Sequence, residues 1–294
     1  MNKQTTISRA VSLSGVGIHT GKKVKLTFRP APVDHGYAFS RVDLEGCPII
    51  KADANLVVNT TRGTNLEKNG VSIQTSEHVL AALVGLEIDN VLIELNASEP
   101  PIMDGSSIHF VEALLKAGIE EQDAERYEYV VRENITFADE ETGSEITVIP
   151  ADNYQVTTMV DFGTKVLGTQ NANLKNLSDF EDQFANARTF SFLHEIESLL
   201  EHGLIKGGDL NNAIVYVDKE LSELSKQVFE PADMSSIGAF ANVLRTTPEF
   251  SKMANSLRVN GFDVKKVNFD NLQYVYSQMS DLNKQIVDTM AAFG

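Results

Sequence analysis

Glu77 and His78 are adjacent residues of the types that move protons and bind metals. A carboxylate beside an imidazole is the pairing a metal hydrolase uses, the neutral His ligating and the Glu taking a proton from metal-bound water. A structural explanation competes with this one. Glu is favoured in a helix's first turn by the helix dipole, and a single His commonly sits on a surface or in a satisfied core. The other histidines are His19, His35, His109, His194 and His202. His194 and His202 are eight apart, so HEIESLLEH is not a zinc helix with imidazoles four apart, and both read as helix-surface residues. His109, beside Phe110, reads as packing. His19 lies in GVGIHTG, where glycines permit a close approach to a ligand, which makes His19 a candidate substrate contact. That turn is no phosphate loop, because a strand pattern rather than a helix follows it. Cys47 precedes Pro48 with no His adjacent and reads as a plain thiol.

The elements that must position these residues are legible in outline. Ser76 is a good N-cap, and Val79, Leu80, Leu83 and Leu86 recur at the spacing of an apolar helix face. Gly85 is placed to stop that helix, and VLIEL after it reads as a buried strand. Val24, Leu26 and Phe28 alternate with Lys23, Lys25 and Thr27 in another strand, which Pro30 and Pro32 end. YAFSRVDL reads as a further strand. Ile108, Val111, Leu114 and Leu115 form the apolar face of a second helix.

Two patterns then return at one offset. Thr20-Gly21 before KKVKL resembles Thr142-Gly143 before SEITV, and Asp89-Asn90 before VLIEL resembles Asn211-Asn212 before AIVYV. Gly21 and Gly143 stand 122 residues apart, as do Asn90 and Asn212. We read an α+β protein of two duplicated α+β modules, residues 1–122 and 123–294, with a joint near Gly118–Arg126 where EEQDAER breaks the hydrophobic pattern. Facing modules leave a cleft, the usual place for a ligand.

Composition sets outer bounds. With 294 residues and 42% hydrophobic content, the chain can build real cores. A net charge of -16 argues against general nucleic acid binding or an anionic membrane face. The longest apolar run, VLAALVGL, is far below the roughly 20 residues of a membrane span, so no stable membrane anchor is expected. One cysteine excludes an internal disulfide and a multi-cysteine zinc site and fits a reducing cytoplasm.

Five segments in order, SGVGIHTGKKVKLTFRPAP, TSEHVLAALVGLEIDNVLIEL, EPPIMDGSS, ARTFSFLHEIESL and IKGGDLNNAIVYVD, resemble the UDP-3-O-acyl-N-acetylglucosamine deacetylase family, the zinc amidases of lipid A biosynthesis. The resemblance runs from about Thr6 to Asp218. It implies a two-layer sandwich of two modules with helices between the sheets, one zinc ion, a cytoplasmic setting and a UDP-linked acylated amino sugar as substrate. It implies His78 as a zinc ligand, Glu77 as the general base and Thr189 as the hydroxyl that stabilises the oxyanion. Phe190 and Phe192 correspond to apolar residues near sugar and acyl chain, and Gly207-Gly208-Asp209 to backbone close to the substrate, with Gly208 a candidate contact. The region from about Gly168 to Ala187 corresponds to an insert that builds the acyl passage. No room is expected for the dehydratase that some members carry fused.

The last quarter departs from the family. No histidine follows His202, whereas the family draws two further zinc ligands from a His-Lys-x-x-Asp helix and a catalytic His from near its end. Laid without gaps on LRVNGFDVKKVNFD, that helix puts Lys266 at the ligand His and Asp270 at the ligand Asp, and Ser280 falls at the late His. Val275, Met279, Leu282, Ile286, Met290 and Phe293 keep helical spacing. Three expectations follow: a zinc-dependent deacetylase, a non-catalytic relative that binds the nucleotide sugar or a partner, or a truncated or shuffled product without evolved activity.

Overall fold

The computed structural model of the chain describes residues 2–217. They form a mixed α+β fold of several small sheets and few helices. The first strands are β1 (Lys3–Ile7), β2 (Val11–Val16), β3 (Lys23–Pro30), β4 (Tyr37–Arg41) and β5 (Ile49–Lys51). A three-stranded meander follows: β6 (Val57–Asn59), β7 (Asn65–Lys68) and β8 (Val71–Ile73). Helix α1 (Glu77–Gly85), β9 (Val91–Leu95), α2 (Ile108–Ala117) and β10 (Ile119–Glu125) come next. The central sheet has the order β2-β3-β9-β4-β5 and is antiparallel except where β4 runs parallel to β9.

The expected alternation in β3 holds, with Val24, Leu26 and Phe28 buried while Lys23 and Lys25 face water. The pattern works because successive strand side chains point to opposite faces. Val79, Ala82 and Leu83 of α1 and Phe110, Val111 and Leu114 of α2 complete one core with these strands. Phe110 meets Phe28 edge-to-face, at 6.3 Å between ring centroids.

One local expectation needs correction, and two gain a physical reason. Ser76 makes no side-chain cap; its hydroxyl donates to the Thr64 carbonyl at 2.9 Å and ties the helix start to the meander. Gly85 does end α1, but for a packing reason, since a Cβ there would overlap the ring of Phe180. EEQDAER is no bare joint: it forms most of β10, antiparallel to β1. The strand is polar because nearly all its side chains face solvent.

Asn90 fastens this edge. Fully buried, it donates to the side-chain carbonyls of Gln4 (2.8 Å) and Gln122 (2.7 Å) and accepts from Gly36 N–H (2.8 Å). Thr5 N–H donates to Asp89, whose carboxylate also pairs with Arg126.

The later segment has β11 (Ile135–Asp139), β12 (Ser144–Val148), β13 (Val156–Asp161), β14 (Thr169–Leu174), the short α3 (Phe180–Gln183), β15 (Phe190–Phe192), α4 (Leu193–Glu201) and β16 (Ile214–Tyr216). β11–β12 and β13–β14 are antiparallel hairpins, and β15–β16 is a parallel pair. The 122-residue offset reappears in strand register. Leu13 faces Leu26 and Gly15 faces Val24 in the β2–β3 hairpin. The residues 122 further on, Ile135 with Val148 and Phe137 with Ile146, face each other in β11–β12. Among the described residues, no helix is long and apolar enough to cross a membrane.

Asn90→Ala removes the partners of the part-buried Gln122 side-chain carbonyl and Gly36 N–H and one of the two donors to Gln4, and is expected to lower unfolding stability by about 2 kcal/mol. Urea denaturation measures it; a loss below about 0.5 kcal/mol would contradict the role given to this amide.

Candidate active site

The meander loop holds Glu77 in place. Thr64 N–H donates to its carboxylate at 2.8 Å, while Ser76 N–H and hydroxyl both return to the Thr64 carbonyl. Thr75, just before this start, has φ +52, a left-handed conformation that is uncommon for a β-branched residue. His78 is half-buried. Burial pushes its imidazolium below the ordinary range, against the opposing pull of Glu77 and Asp104. The neutral imidazole, the form that ligates metals, is therefore favoured.

The loop EPPIMDGSS, between β9 and α2, contacts both α1 and the later segment. Ser107 hydroxyl donates to the His78 carbonyl at 3.0 Å. Burial alone would raise the Asp104 carboxyl, but the Ser106 hydroxyl and amide, with the charges of His109 and Arg188, hold it below the usual carboxylate range. Arg188 donates from Nε to the Asp104 carbonyl at 2.6 Å, and Thr189 N–H to the Gly105 carbonyl at 2.7 Å. Gly105 has φ +89, and a Cβ there would overlap the Asn212 carbonyl and press on Thr189. One loop thus touches the His78 backbone through Ser107 and holds the Thr189 backbone through Gly105. Beyond Thr189, Phe190 meets Phe162 and Tyr216 at 5.4 Å each and Phe192 at 5.8 Å, forming an aromatic cluster on β15–β16.

His19 knots three loops. The Ile205 N–H points at His19 Nδ1 (3.4 Å), and His19 Nε2 lies 3.1 Å from the Arg62 carbonyl. An acceptor at Nδ1 and a carbonyl at Nε2 require the tautomer with its proton on Nε2. Lys206 N–H donates to the His19 carbonyl and Gly207 N–H to that of Ile18. Gly207 makes the tight approach, to the Gly17 carbonyl, while Gly208 N–H closes a turn onto Ile205. The Arg62 guanidinium donates twice to Glu195 on α4 (2.5 and 3.2 Å).

The structure therefore brings Glu77, His78, His19 and Thr189 into one network of loops, through Arg62–Thr64 on one side and Asp104–Ser107 on the other. Asp270, the other expected zinc ligand, lies outside the described residues, as do Lys266 and the apolar spacing of the tail. Among the described residues no three His, Cys, Asp or Glu side chains converge as a metal set does. His78 alone falls short of the three protein ligands of a catalytic zinc. His109 is not packed in the core: it stands 38% exposed, 3.6 Å from both Asp104 and Glu112, because Phe110 takes the buried position. Segment 168–187 supplies β14 and helical turns whose Ala172, Leu174, Leu177, Phe180 and Phe184 wall an apolar cavity of about 270 Å³ against Ala81, Val84 and Gly85 of α1.

Sequence reasoning missed Asp104, Glu99, Arg62 and Arg188. A Pro-Pro pair followed by Asp-Gly marks a rigid turn and could have flagged Asp104. Nothing in the spacing signals Arg62 with Glu195, 133 residues apart.

Carboxylate, imidazole and hydroxyl are residue types that hydrolases of acyl groups use. The chain belongs to the UDP-3-O-acyl-N-acetylglucosamine deacetylase family: the family model described as LpxC: UDP-3-O-acyl N-acetylglycosamine deacetylase matches residues 4–230. It is 48% identical over 225 residues to the Bifunctional enzyme LpxC/FabZ of Bacteroides thetaiotaomicron, covering 76% of this chain and 49% of that protein. To the protein of the same name from Chlorobaculum tepidum it is 46% identical over 242 residues, 82% of this chain and 51% of that one. To the UDP-3-O-acyl-N-acetylglucosamine deacetylase of Myxococcus xanthus it is 41% identical over 213 residues, 72% of this chain and 67% of that one. The chain thus spans about half the length of the bifunctional relatives it matches.

The Arg62–Glu195 clasp sets a pH dependence. Hydrogen bonding to Arg62 holds the Glu195 carboxyl below its ordinary value in the folded chain. Its contribution is therefore complete above the usual glutamate range and lost as pH falls through the folded value. The stability gap between the wild type and Arg62→Ala, read from melts, should be full above the usual glutamate range and shrink as the pH is taken below it. A gap that grows on acidification would contradict this.

Proposed function

We propose that this chain is a zinc-dependent hydrolase that removes the N-acetyl group from a UDP-linked 3-O-acyl-glucosamine in lipid A biosynthesis, in the cytoplasm. The observation that carries the reading is the Glu77–His78 pair at the opening of α1, its carboxylate held by Thr64 N–H. Family membership supplies the substrate class.

In this reading Glu77 takes the proton of the attacking water and Thr189 donates its hydroxyl to the developing oxyanion. Thr189 suits that role because its backbone is fixed on both sides, N–H to Gly105 and carbonyl to Ile214 N–H. His19 and the Gly207-Gly208 turn stand beside the sugar. The acyl chain lies along apolar surface, that of Phe190 and Phe192 and of the cavity walled by segment 168–187, at about 0.8 kcal/mol per methylene transferred. Zinc belongs to the reading through His78 and Asp270. The two modules, 1–122 and 123–294, are read as a duplicated sandwich with the site between them, which the matched register of the β2–β3 and β11–β12 hairpins supports.

A second reading rests on one sequence observation, that no imidazole follows His202; the gapless alignment above would put Lys266 at the place of a ligand His. It makes the chain a non-catalytic binder of the nucleotide sugar. Elemental analysis of the purified chain and acetate release from the acylated UDP sugar separate the two. The deacetylase reading expects one zinc per chain, with turnover reduced about 10²-fold or more in Glu77→Ala and about 10²–10³-fold in Thr189→Ala. A cooperative melt with neither zinc nor turnover would leave the binder, and a melt without cooperativity would favour a shuffled product.

A further inference from the structure

Glu99 is buried to 1% exposure, yet its carboxylate forms no ion pair among the described residues. Its charge is met by four donors instead. Oε1 accepts from His19 N–H (3.0 Å) and the Thr75 hydroxyl (3.2 Å); Oε2 accepts from Thr20 N–H (2.9 Å) and the Thr20 hydroxyl (2.8 Å). An unpaired buried carboxylate is costly, and several N–H and O–H donors are what make it tolerable. The turn closes onto it so tightly that a Cβ at Gly17 would overlap Oε2.

The two segments so joined are the ones that carry candidate site residues. One is the turn bearing His19. The other is Thr75, held at φ +52 immediately before the Ser76-Glu77-His78 helix start. Strained residues persist only where their surroundings hold them, and they gather at functional sites. Thr75 has two such restraints, its N–H on the Asn65 side chain (3.1 Å) and its hydroxyl on Glu99.

We propose that Glu99 is a positioning residue: its carboxylate clamps the His19 turn to the strained Thr75 and so sets His19 and the Glu77–His78 pair in mutual register. The role rests on the deacetylase reading for its consequence in turnover, but not for its geometry. Glutamine at this position would turn an NH2 toward one pair of donors and lose their acceptor. Aspartate would keep the charge and lose the reach.

The test uses the full chain and two readouts. Imidazole nitrogen NMR should find His19 fixed with its proton on Nε2 in the wild type. In Glu99→Gln the signal should average between tautomers, while Glu77→Ala leaves it fixed. In acetate release, Glu99→Gln should lower kcat about tenfold or more with KM changed less than about threefold, because misplacement by an ångström is felt in the chemical step. Thr75→Ala, which removes one donor without disturbing the buried charge, should lower kcat in the same way, and Thr75→Ser should restore it. A fixed His19 signal in Glu99→Gln overturns the clamp whatever the turnover. If Glu99→Gln does not fold, kcat in Thr75→Ala equal to wild type overturns it. Wild-type chain without turnover defeats the deacetylase reading instead, and the His19 spectrum still decides the clamp.

Discussion

A buried carboxylate met, among the described residues, by N–H and O–H dipoles is the constraint on which the candidate site depends. Glu99 cannot give up any of its four donors without leaving charge unmet in a place closed to water. The donors come from two segments about 55 residues apart in sequence, so the fold is obliged to keep both in place. Pro100 and Pro101 then stiffen the chain leading to Asp104–Ser107, where the next contacts with α1 and with Thr189 are made. One run of nine residues, Glu99 to Ser107, thereby touches the His19 turn, the opening of α1 and the loop carrying the hydroxyl.

The rest of the fold supplies rigid backing for that run. β9 ends at Leu95, in the middle of the five-stranded sheet, and delivers Glu99 a few residues later. Helix α1 is packed by Val79, Ala82 and Leu83, which leaves its first turn on the rim with Glu77 and His78. Helix α2 follows Ser107 directly and buries Phe110 against Phe28, so the loop between β9 and α2 is anchored at both ends.

Much of this is legible in the sequence. Period-two alternation gave β3, and the apolar spacing of 77–86 gave α1, because both patterns report one buried face. The candidate pair Glu77–His78 was visible as chemistry, and the ordered motifs tied it to a family. What the sequence hid were contacts between distant residues. Glu99 reads locally as a polar residue before two prolines; its partners at His19, Thr20 and Thr75 carry no periodic signature. Ser76 has the type of a cap, yet its hydroxyl finds a better acceptor in Thr64. β10 was masked by its polarity, since a strand with little buried surface has no apolar face to betray it. His109 was misjudged because either neighbour in a helix can take the core position, and only packing decides.

The proposed function requires these loops to form a working hydrolytic site. The most direct measurement is acetate release by the purified full chain in water enriched in oxygen-18. Hydrolysis at the Glu77–His78 pair predicts one labelled oxygen per acetate released, and loss of the labelled product in Glu77→Ala. Acetate without label, or labelled acetate formed equally well by Glu77→Ala, would contradict it.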